Sequence, residues 1–197
     1  MRKIGSNVLG LILSALFVSL LSACSDPADN NDVDDLVKRG DNVFKVGSVS
    51  NPIDECLDGY MESDGGVTHF LHFYTRGFYH MNGDGTCSVN ATFSKTGAYV
   101  ELPAFDKGQS ELFRLTTGSY FNKYSSSDDW SGEYIVTKGA SSTKSLSYDK
   151  MTELQISTVD VKKKGDIYEI TWDGSDEKGN PCSLYYYGSI HSEAMRR

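Results

Sequence analysis

Apolar and polar positions divide this 197-residue chain into three zones. Residues 4–23 carry no charge and are mostly apolar, whereas residues 25–35 are polar and rich in aspartate. From Val43 onward, apolar and polar residues alternate in short runs that Gly, Asn, Asp and Ser interrupt. Alternation with a period of two is typical of half-buried β-strands, and helical spacing is scarce. The third zone therefore predicts a β-domain.

Turn signals divide the third zone into roughly eight to ten short strands. Strands of this number and spacing predict an all-β fold over residues 43–191, either a single antiparallel β-sandwich or a β-barrel, of jelly-roll or lipocalin-like type. Pro103 cannot donate an amide hydrogen, so we expect it at a sheet edge or a strand end. Residues 106–117 favour neither a helix nor a strand, and residues 192–197 are expected to be a frayed tail. The predicted strands are 54–62, 67–75, 87–95, 97–105, 118–124, 132–137, 153–162, 166–173 and 182–190.

The first zone has the order of a secretory signal peptide. Arg2 and Lys3 precede the apolar run, and the small-residue sequence Leu21-Ser22-Ala23 leads directly into Cys24. The almost wholly apolar run, Val8–Leu21, is shorter than the roughly 20 apolar residues of a membrane span, and acidic residues follow soon after it. The segment resembles bacterial lipoprotein signals. This resemblance implies removal of residues 1–23, lipidation of Cys24 by a diacylglycerol, and attachment to a membrane through the acyl chains.

The second zone predicts a flexible tether over residues 24–42, because its first part combines five aspartates with no basic residue. Aspartates soon after a lipidated cysteine resemble the surface-export signals of Bacteroidetes lipoproteins. The short motifs Gly132-Glu133-Tyr134 and Tyr187-Gly188-Ser189-Ile190 fit the same resemblance, to uncharacterised surface lipoproteins of that group with a small all-β domain. It implies a protein anchored in the outer membrane by its lipid and exposed at the cell surface.

Net charge argues against nucleic acid as a partner. The whole chain carries a formal charge of −8, and removal of Arg2 and Lys3 with the signal brings it to −10. A protein this acidic repels polyanions. The one basic run, Lys162-Lys163-Lys164, precedes Gly165-Asp166 between two strand patterns, so it is interpreted as a solvated hairpin tip.

Three cysteines remain once Cys24 is lipidated, in a compartment that permits disulfides. Strand parity places Cys87 and Cys182 on inner faces and Cys56 on the face opposite Leu57. A Cys87–Cys182 disulfide with Cys56 free is therefore one expectation, and three unpaired thiols are the other. No Cys-x-x-Cys spacing is present, which argues against zinc or redox chemistry.

Motifs for catalysis, metals or cofactors are missing from the sequence. His69 and His72 are three residues apart, which places them on opposite faces of one strand, so they cannot chelate a metal together. The run that starts at Asn82 resembles a calcium loop, but its twelfth position is Phe93 rather than glutamate. We therefore expect no metal site, no cofactor and no enzymatic activity.

One cluster suggests ligand binding. Asp128, Asp129 and Trp130 lie in a serine-rich stretch, where the indole could stack on a sugar ring while the carboxylates bind hydroxyl groups. Tyr185 and Tyr187, on the outer face of the last strand, could extend this platform. The alternative is that Trp130 folds back over the domain and that the tyrosines are ordinary strand residues. A binding module for a glycan or another extracellular ligand is the leading hypothesis, ahead of a structural or adhesive surface subunit.

Overall fold

The computed structural model describes residues 36–63, 66–81, 87–90, 93, 95–106, 114–121, 132–138, 151–155 and 157–194. These residues form an all-β structure, which confirms the predicted fold class at that level. Among them, no helix is long and apolar enough to cross a membrane. The predicted signal peptide and the aspartate-rich part of the tether lie outside the described residues.

Fourteen strands are present in the described residues. They are β1 (Val43–Val46), β2 (Val49–Pro52), β3 (Glu55–Ser63), β4 (Gly66–Tyr74), β5 (Tyr79–Met81), β6 (Cys87–Val89), β7 (Thr96–Asp106), β8 (Gly118–Phe121), β9 (Glu133–Lys138), β10 (Thr152–Glu153), β11 (Thr158–Lys164), β12 (Ile167–Ser175), β13 (Pro181–Gly188) and β14 (His191–Ala194).

Twelve of these strands form one large sheet, and β5 and β6 form a separate hairpin. The main path through the large sheet runs β14-β3-β4-β7-β8-β11-β12-β13-β1-β2. Every pairing is antiparallel except that of β14 with β3. The β11–β12 hairpin closes with the two-residue turn Gly165-Asp166, in which Gly165 has a φ of 59°. The prediction that the three lysines lie at a hairpin tip is confirmed.

The chain path forces this sheet to curl. β2 ends one side of the path and β3 lies next to the other end, yet only Ile53 and Asp54 connect them. Eight steps of about 4.8 Å across a flat sheet would separate the two strands by about 38 Å, which two residues cannot span. Ring contacts across the interior agree with curling, since Phe44 lies 5.1 Å from Tyr134 and Phe73 lies 5.6 Å from Tyr186.

The interior of the curl holds the main apolar core. Side chains from β1, β3, β4, β7, β8, β9, β11, β12 and β13 contribute to it. Trp172 and Ile170 of β12 are almost fully buried there, whereas Thr171 between them is only half-buried. A second, smaller core of Phe78, Tyr99 and Ile135 lies elsewhere in the structure. Burial alternates with a period of two in β11 and β13, as the sequence predicted, whereas β4 and β7 are buried on both faces.

Pro103 lies inside β7, not at its end, so the expected position was wrong in detail. One side of β7 pairs with β4 over eight residues, Tyr99–Asp106. The other side pairs with β9 over the first six residues of β7 and with β8 only at Phe105. Pro103 falls between these two partners, where the described residues show no pairing on that side. Proline has no amide hydrogen, and at a position where the strand has no partner on one side, no hydrogen bond of the sheet is lost.

Two further strand predictions need correction. The expected strand 87–95 ends at Val89, because the amide of Asn90 bonds to Phe78 and its carbonyl accepts from Phe93, which makes a turn. Residues 192–194 are not a frayed tail, because they belong to β14, which pairs with β3 from Leu57 to Tyr60. The tail has no alternating pattern, so its partner strand determines its structure.

The loop between β12 and β13 is organised by the buried carboxylate of Asp176. It accepts hydrogen bonds from the backbone amides of Lys178 and Asn180, from the Asn180 side chain at 2.7 Å, and from the hydroxyl of Tyr134 at 2.9 Å. Burial alone would raise the pKa of Asp176, but these hydrogen bonds lower it below its ordinary value. Protein donors satisfy both carboxylate oxygens, and β12 and β13 pair as an antiparallel hairpin on either side of this loop.

Replacing Asp176 should therefore weaken the whole domain. We expect Asp176→Ala to lower the free energy of unfolding by about 3 kcal/mol, because Tyr134 and two backbone amides lose their acceptor. Urea unfolding measures this change. The control is Asp173→Ala, which removes an exposed carboxylate from the neighbouring strand β12. Equal stability of the two variants would contradict the role of Asp176.

Candidate functional site

Part of the predicted ligand cluster lies outside the described residues. This holds for Asp128, Asp129 and Trp130, and also for the predicted lipidation site, Cys24. The candidate site is therefore built from β13 and the elements that surround it.

Tyr185 and Tyr187 lie on the face of β13 that points away from the core, as strand parity predicts. Both are half-buried, whereas Leu184 and Tyr186 are buried in the core. The two tyrosines do not form an open aromatic platform. The hydroxyl of Tyr187 donates to the carbonyl of Leu36 at 3.0 Å, so part of the N-terminal segment crosses over them.

Residues 36–42, which we call the strap, are held against β13 by polar contacts. The amide of Arg39 donates to the hydroxyl of Tyr185 at 2.8 Å. The side chain of Asn42 makes two hydrogen bonds with the backbone of Tyr187, at 3.1 and 2.8 Å, in the manner of a paired strand residue. Sequence reasoning assigned the strap to the flexible tether, because its polar residues show no strand pattern.

The strap and the neighbouring strands enclose a surface depression of about 410 Å³. This size lies within the range of about 300 to 1,000 Å³ that small-molecule sites occupy. The strap supplies one wall, Tyr185 an aromatic side, and β1 and β2 the remaining surface. Val43 lies directly opposite Tyr185, and Lys45 lies directly opposite Ser50. The lining residues are Arg39, Gly40, Asp41, Val43, Lys45, Ser50 and Tyr185.

Positive charge exceeds negative charge in the lining of this depression. Lys45 is exposed and forms no ion pair with any residue that the structure describes. Arg39 is 67% exposed, and its Nε lies 3.5 Å from the carboxylate of Glu169. Asp41 is the only acidic residue among the lining residues. The lining thus combines two cations with one carboxylate, and Glu169, beside Arg39, adds a second carboxylate just outside the lining.

Glu169 supports the strap from below. Its side chain is only 4% exposed, and it lies opposite Tyr187 in the β12–β13 register. One carboxylate oxygen contacts Arg39, and the other, Oε2, has no hydrogen-bond partner. A buried carboxylate with an unpartnered oxygen lowers stability. Its position therefore points to a role in holding the Arg39 guanidinium beside the depression.

A buried Asp–His pair lies on the core side of β3 and β4. Nδ1 of His69 donates to both carboxylate oxygens of Asp58 at 2.9 Å, and both residues are almost fully buried. The hydroxyl of Ser192 lies 3.4 Å from Asp58. A serine nucleophile must contact the imidazole, not the carboxylate, to lose its proton to a base. The three residues therefore do not form a catalytic triad.

His72 lies on the opposite face of β4 from His69, which confirms the parity prediction. Its Nδ1 donates to the hydroxyl of Tyr99 at 2.8 Å, and that hydroxyl donates to Glu101 at 2.8 Å. Burial lowers the pKa of His72, although the negative charges of Glu101 and Asp58 act in the opposite direction. Both histidines are thus buried with specific partners, which agrees with structural roles.

Three glutamates lie in a row across neighbouring strands, beginning opposite His72. Glu101 of β7 lies opposite His72, Glu133 of β9 lies opposite Glu101, and Glu153 of β10 lies opposite Glu133. Burial, together with the negative charges of Glu101 and Glu153, raises the pKa of Glu133 to about 7. Like charges placed directly opposite each other are destabilising. In the described part of the chain, no group of three potential ligands is arranged to hold a metal ion.

Cys56 and Cys182 are free, buried thiols. Burial raises the pKa of Cys182 to about 11 and that of Cys56 well above its ordinary value. Cys182 is therefore not joined to Cys87, and the predicted disulfide is absent from the structure. Parity correctly placed Cys182 in the core, but a shared face says nothing about the distance between two sulfurs. The side chain of Cys87 lies outside the described residues.

Comparison with known proteins identifies no relative, since no protein-family model, curated protein or solved structure matches this chain.

The glutamate row predicts a stability that depends on pH. Because folding raises the pKa of Glu133 from 4.5 to about 7, the folded chain binds more protons than the unfolded chain between these values. The contribution of Glu133 to stability therefore falls as the pH rises through this window. We expect Glu133→Gln to be more stable than the native protein by about 1 kcal/mol near pH 8 and equally stable near pH 4.

Urea unfolding across this pH range tests the prediction. The control is Glu177→Gln, which removes an exposed carboxylate outside the row. A gain in stability at Glu133 that did not change with pH would show that the row does not perturb its titration.

Proposed function

We propose that this protein is a lipid-anchored binding protein of the outer membrane that takes a saccharide in the Tyr185 depression. The observation that carries the proposal is the composition of its lining. An aromatic ring and the apolar side chain of Val43 lie beside an ammonium, a guanidinium, a carboxylate and a hydroxyl group. Sugars present apolar ring faces surrounded by hydroxyl groups, which such a mixed lining complements.

The sequence supports the anchor. The Leu21-Ser22-Ala23-Cys24 box favours lipidation of Cys24, and the aspartate-rich residues that follow favour exposure at the cell surface. Of the two architectures expected for the domain, the barrel-like one agrees better with a single curled sheet than the sandwich does. The domain then presents its ligand site on the outside of the curl, beside the strap that follows the tether.

A structural or adhesive subunit is the second candidate. One observation favours it: β14 is a four-residue edge strand, paired in parallel with β3. A short edge strand can be replaced by a strand from a partner molecule, as in strand-addition complexes. We rank this candidate below saccharide binding, because β14 already covers the β3 edge.

Tyr185 is the residue on which saccharide binding should depend most. We expect Tyr185→Ala to weaken binding at least about tenfold, because the sugar loses its stacking surface. Tyr185→Phe keeps the ring and should retain most of the affinity, although it removes the contact with the Arg39 amide. The measurement is binding of the full-length lipidated protein, in detergent, to an array of immobilised oligosaccharides.

Phe121→Ala is the matched control, because Phe121 is an exposed aromatic residue on β8, outside the depression. Unchanged binding by Tyr185→Ala, or no saccharide bound by the native protein, would contradict the proposal.

The anchor has its own test. Cells grown with radioactive palmitate should label the native protein, and Cys24→Ala should remove both the label and the membrane association, because the acyl chains attach at this residue. Cys56→Ala is the control for loss of a cysteine elsewhere in the chain. Equal labelling of native protein and Cys24→Ala would exclude lipidation at Cys24.

A further inference from the structure

We propose that the Tyr185 depression is selective for acidic saccharides, that is, for sugars that carry a carboxylate. This inference rests on the proposed function, and it adds the chemical class of the ligand. It is based on the contacts of Lys45 and Arg39 and on the charges around the depression.

Lys45 is the first lining residue that favours an anionic ligand. Its ammonium has no ion-pair partner among the described residues, and the two positions that flank it in the sheet are serines, Ser50 on β2 and Ser183 on β13. Serine hydroxyls do not neutralise an ammonium. Asp41, the one carboxylate in the lining, forms no ion pair with Lys45, so a carboxylate that enters the depression would supply the ion-pair partner that the described residues do not.

The second step is the position of Arg39. Only its Nε contacts Glu169, at 3.5 Å, and the side chain is 67% exposed. Its terminal nitrogens have no hydrogen-bond partner among the described residues. A guanidinium held at Nε presents its other N–H donors to a ligand, and two such donors match a carboxylate.

The third step is the charge balance. The lining holds two cations and the carboxylate of Asp41, and the buried carboxylate of Glu169 behind it offsets Arg39, so Lys45 is the cation that no described carboxylate pairs with. A neutral sugar would use Tyr185, Asp41 and Ser50 but would leave Lys45 without a partner. An acidic sugar would use all of them. The acidic field of the rest of the protein repels anions in general, so the local cations select anions that also offer a ring for Tyr185.

A matched pair of probes tests this selectivity in the full-length lipidated protein in detergent. One probe is a galacturonic acid oligosaccharide, and the other is the same oligosaccharide with its carboxyl groups reduced to alcohols. We expect the native protein to bind the acidic probe at least about tenfold more tightly, as one charge-assisted hydrogen bond would produce. Added salt should weaken the binding of the acidic probe only.

Variants of Lys45 locate the effect. We expect Lys45→Gln to reduce the preference for the acidic probe, because only Arg39 then contacts the carboxylate, while its affinity for the reduced probe stays the same. Lys45→Arg should retain the preference, and Lys95→Gln, which removes an exposed lysine outside the depression, should have no effect. Lys45 is itself exposed, so these variants should fold, and their urea midpoints verify this.

The outcomes separate the two proposals. Equal affinity of the native protein for both probes would overturn the acidic selectivity and leave saccharide binding in place. If Lys45→Gln prefers the acidic probe as strongly as the native protein does, the role of this depression in selectivity is overturned. If the native protein binds neither probe nor any other saccharide on the array, both proposals fail.

Discussion

The two-residue connection between β2 and β3 is the constraint on which the rest of the structure depends. Ile53 lies in the core, and the amide of Asp54 donates to the carbonyl of Tyr74 at 3.0 Å, so the connection is fixed against β4. The hydroxyl of Thr75 adds a further link, since it bonds to the carbonyl of Pro52 and accepts from the amide of Ala98. Strands from distant places in the sheet order thus meet at one point. A sheet held in this way must curl, and its curl decides which face becomes the core.

The curl of the sheet also determines which of its two faces carries polar side chains that solvent can reach. The interior face is filled by apolar side chains, and its main ionisable group is the Asp58–His69 pair, which is satisfied internally. Under the proposed function, a ligand is therefore recognised from the outer surface. On that surface, the strap adds a wall beside β13 that a bare strand lacks, and this wall produces the Tyr185 depression. The position of the candidate site is thus a consequence of the curl together with the path of the chain into β1.

Strand positions and side-chain faces could be predicted from the sequence because both depend on local alternation. This is why Leu184 and Tyr185 were assigned correctly to opposite faces, as were His69 and His72. Pairing order, the fork at Pro103 and the distance between cysteines depend on contacts between remote segments, which one sequence does not display. The strap and β14 were missed for a related reason. Their residues show no periodicity, and hydrogen bonds to β13 and β3 hold them in place.

Glu169 lowers the stability of the domain and at the same time fixes the position of Arg39 in the strap. A buried carboxylate with an unpartnered oxygen is destabilising, and well-packed apolar residues commonly replace buried ion pairs with no loss of stability or with a gain. Such a cost would be unexpected in a strand that needed only to pack. The Glu169 carboxylate lies instead directly against Arg39, and Arg39 lines the depression. Local departures from the rules of packing are expected where a side chain must be held for recognition, and this departure holds a cation.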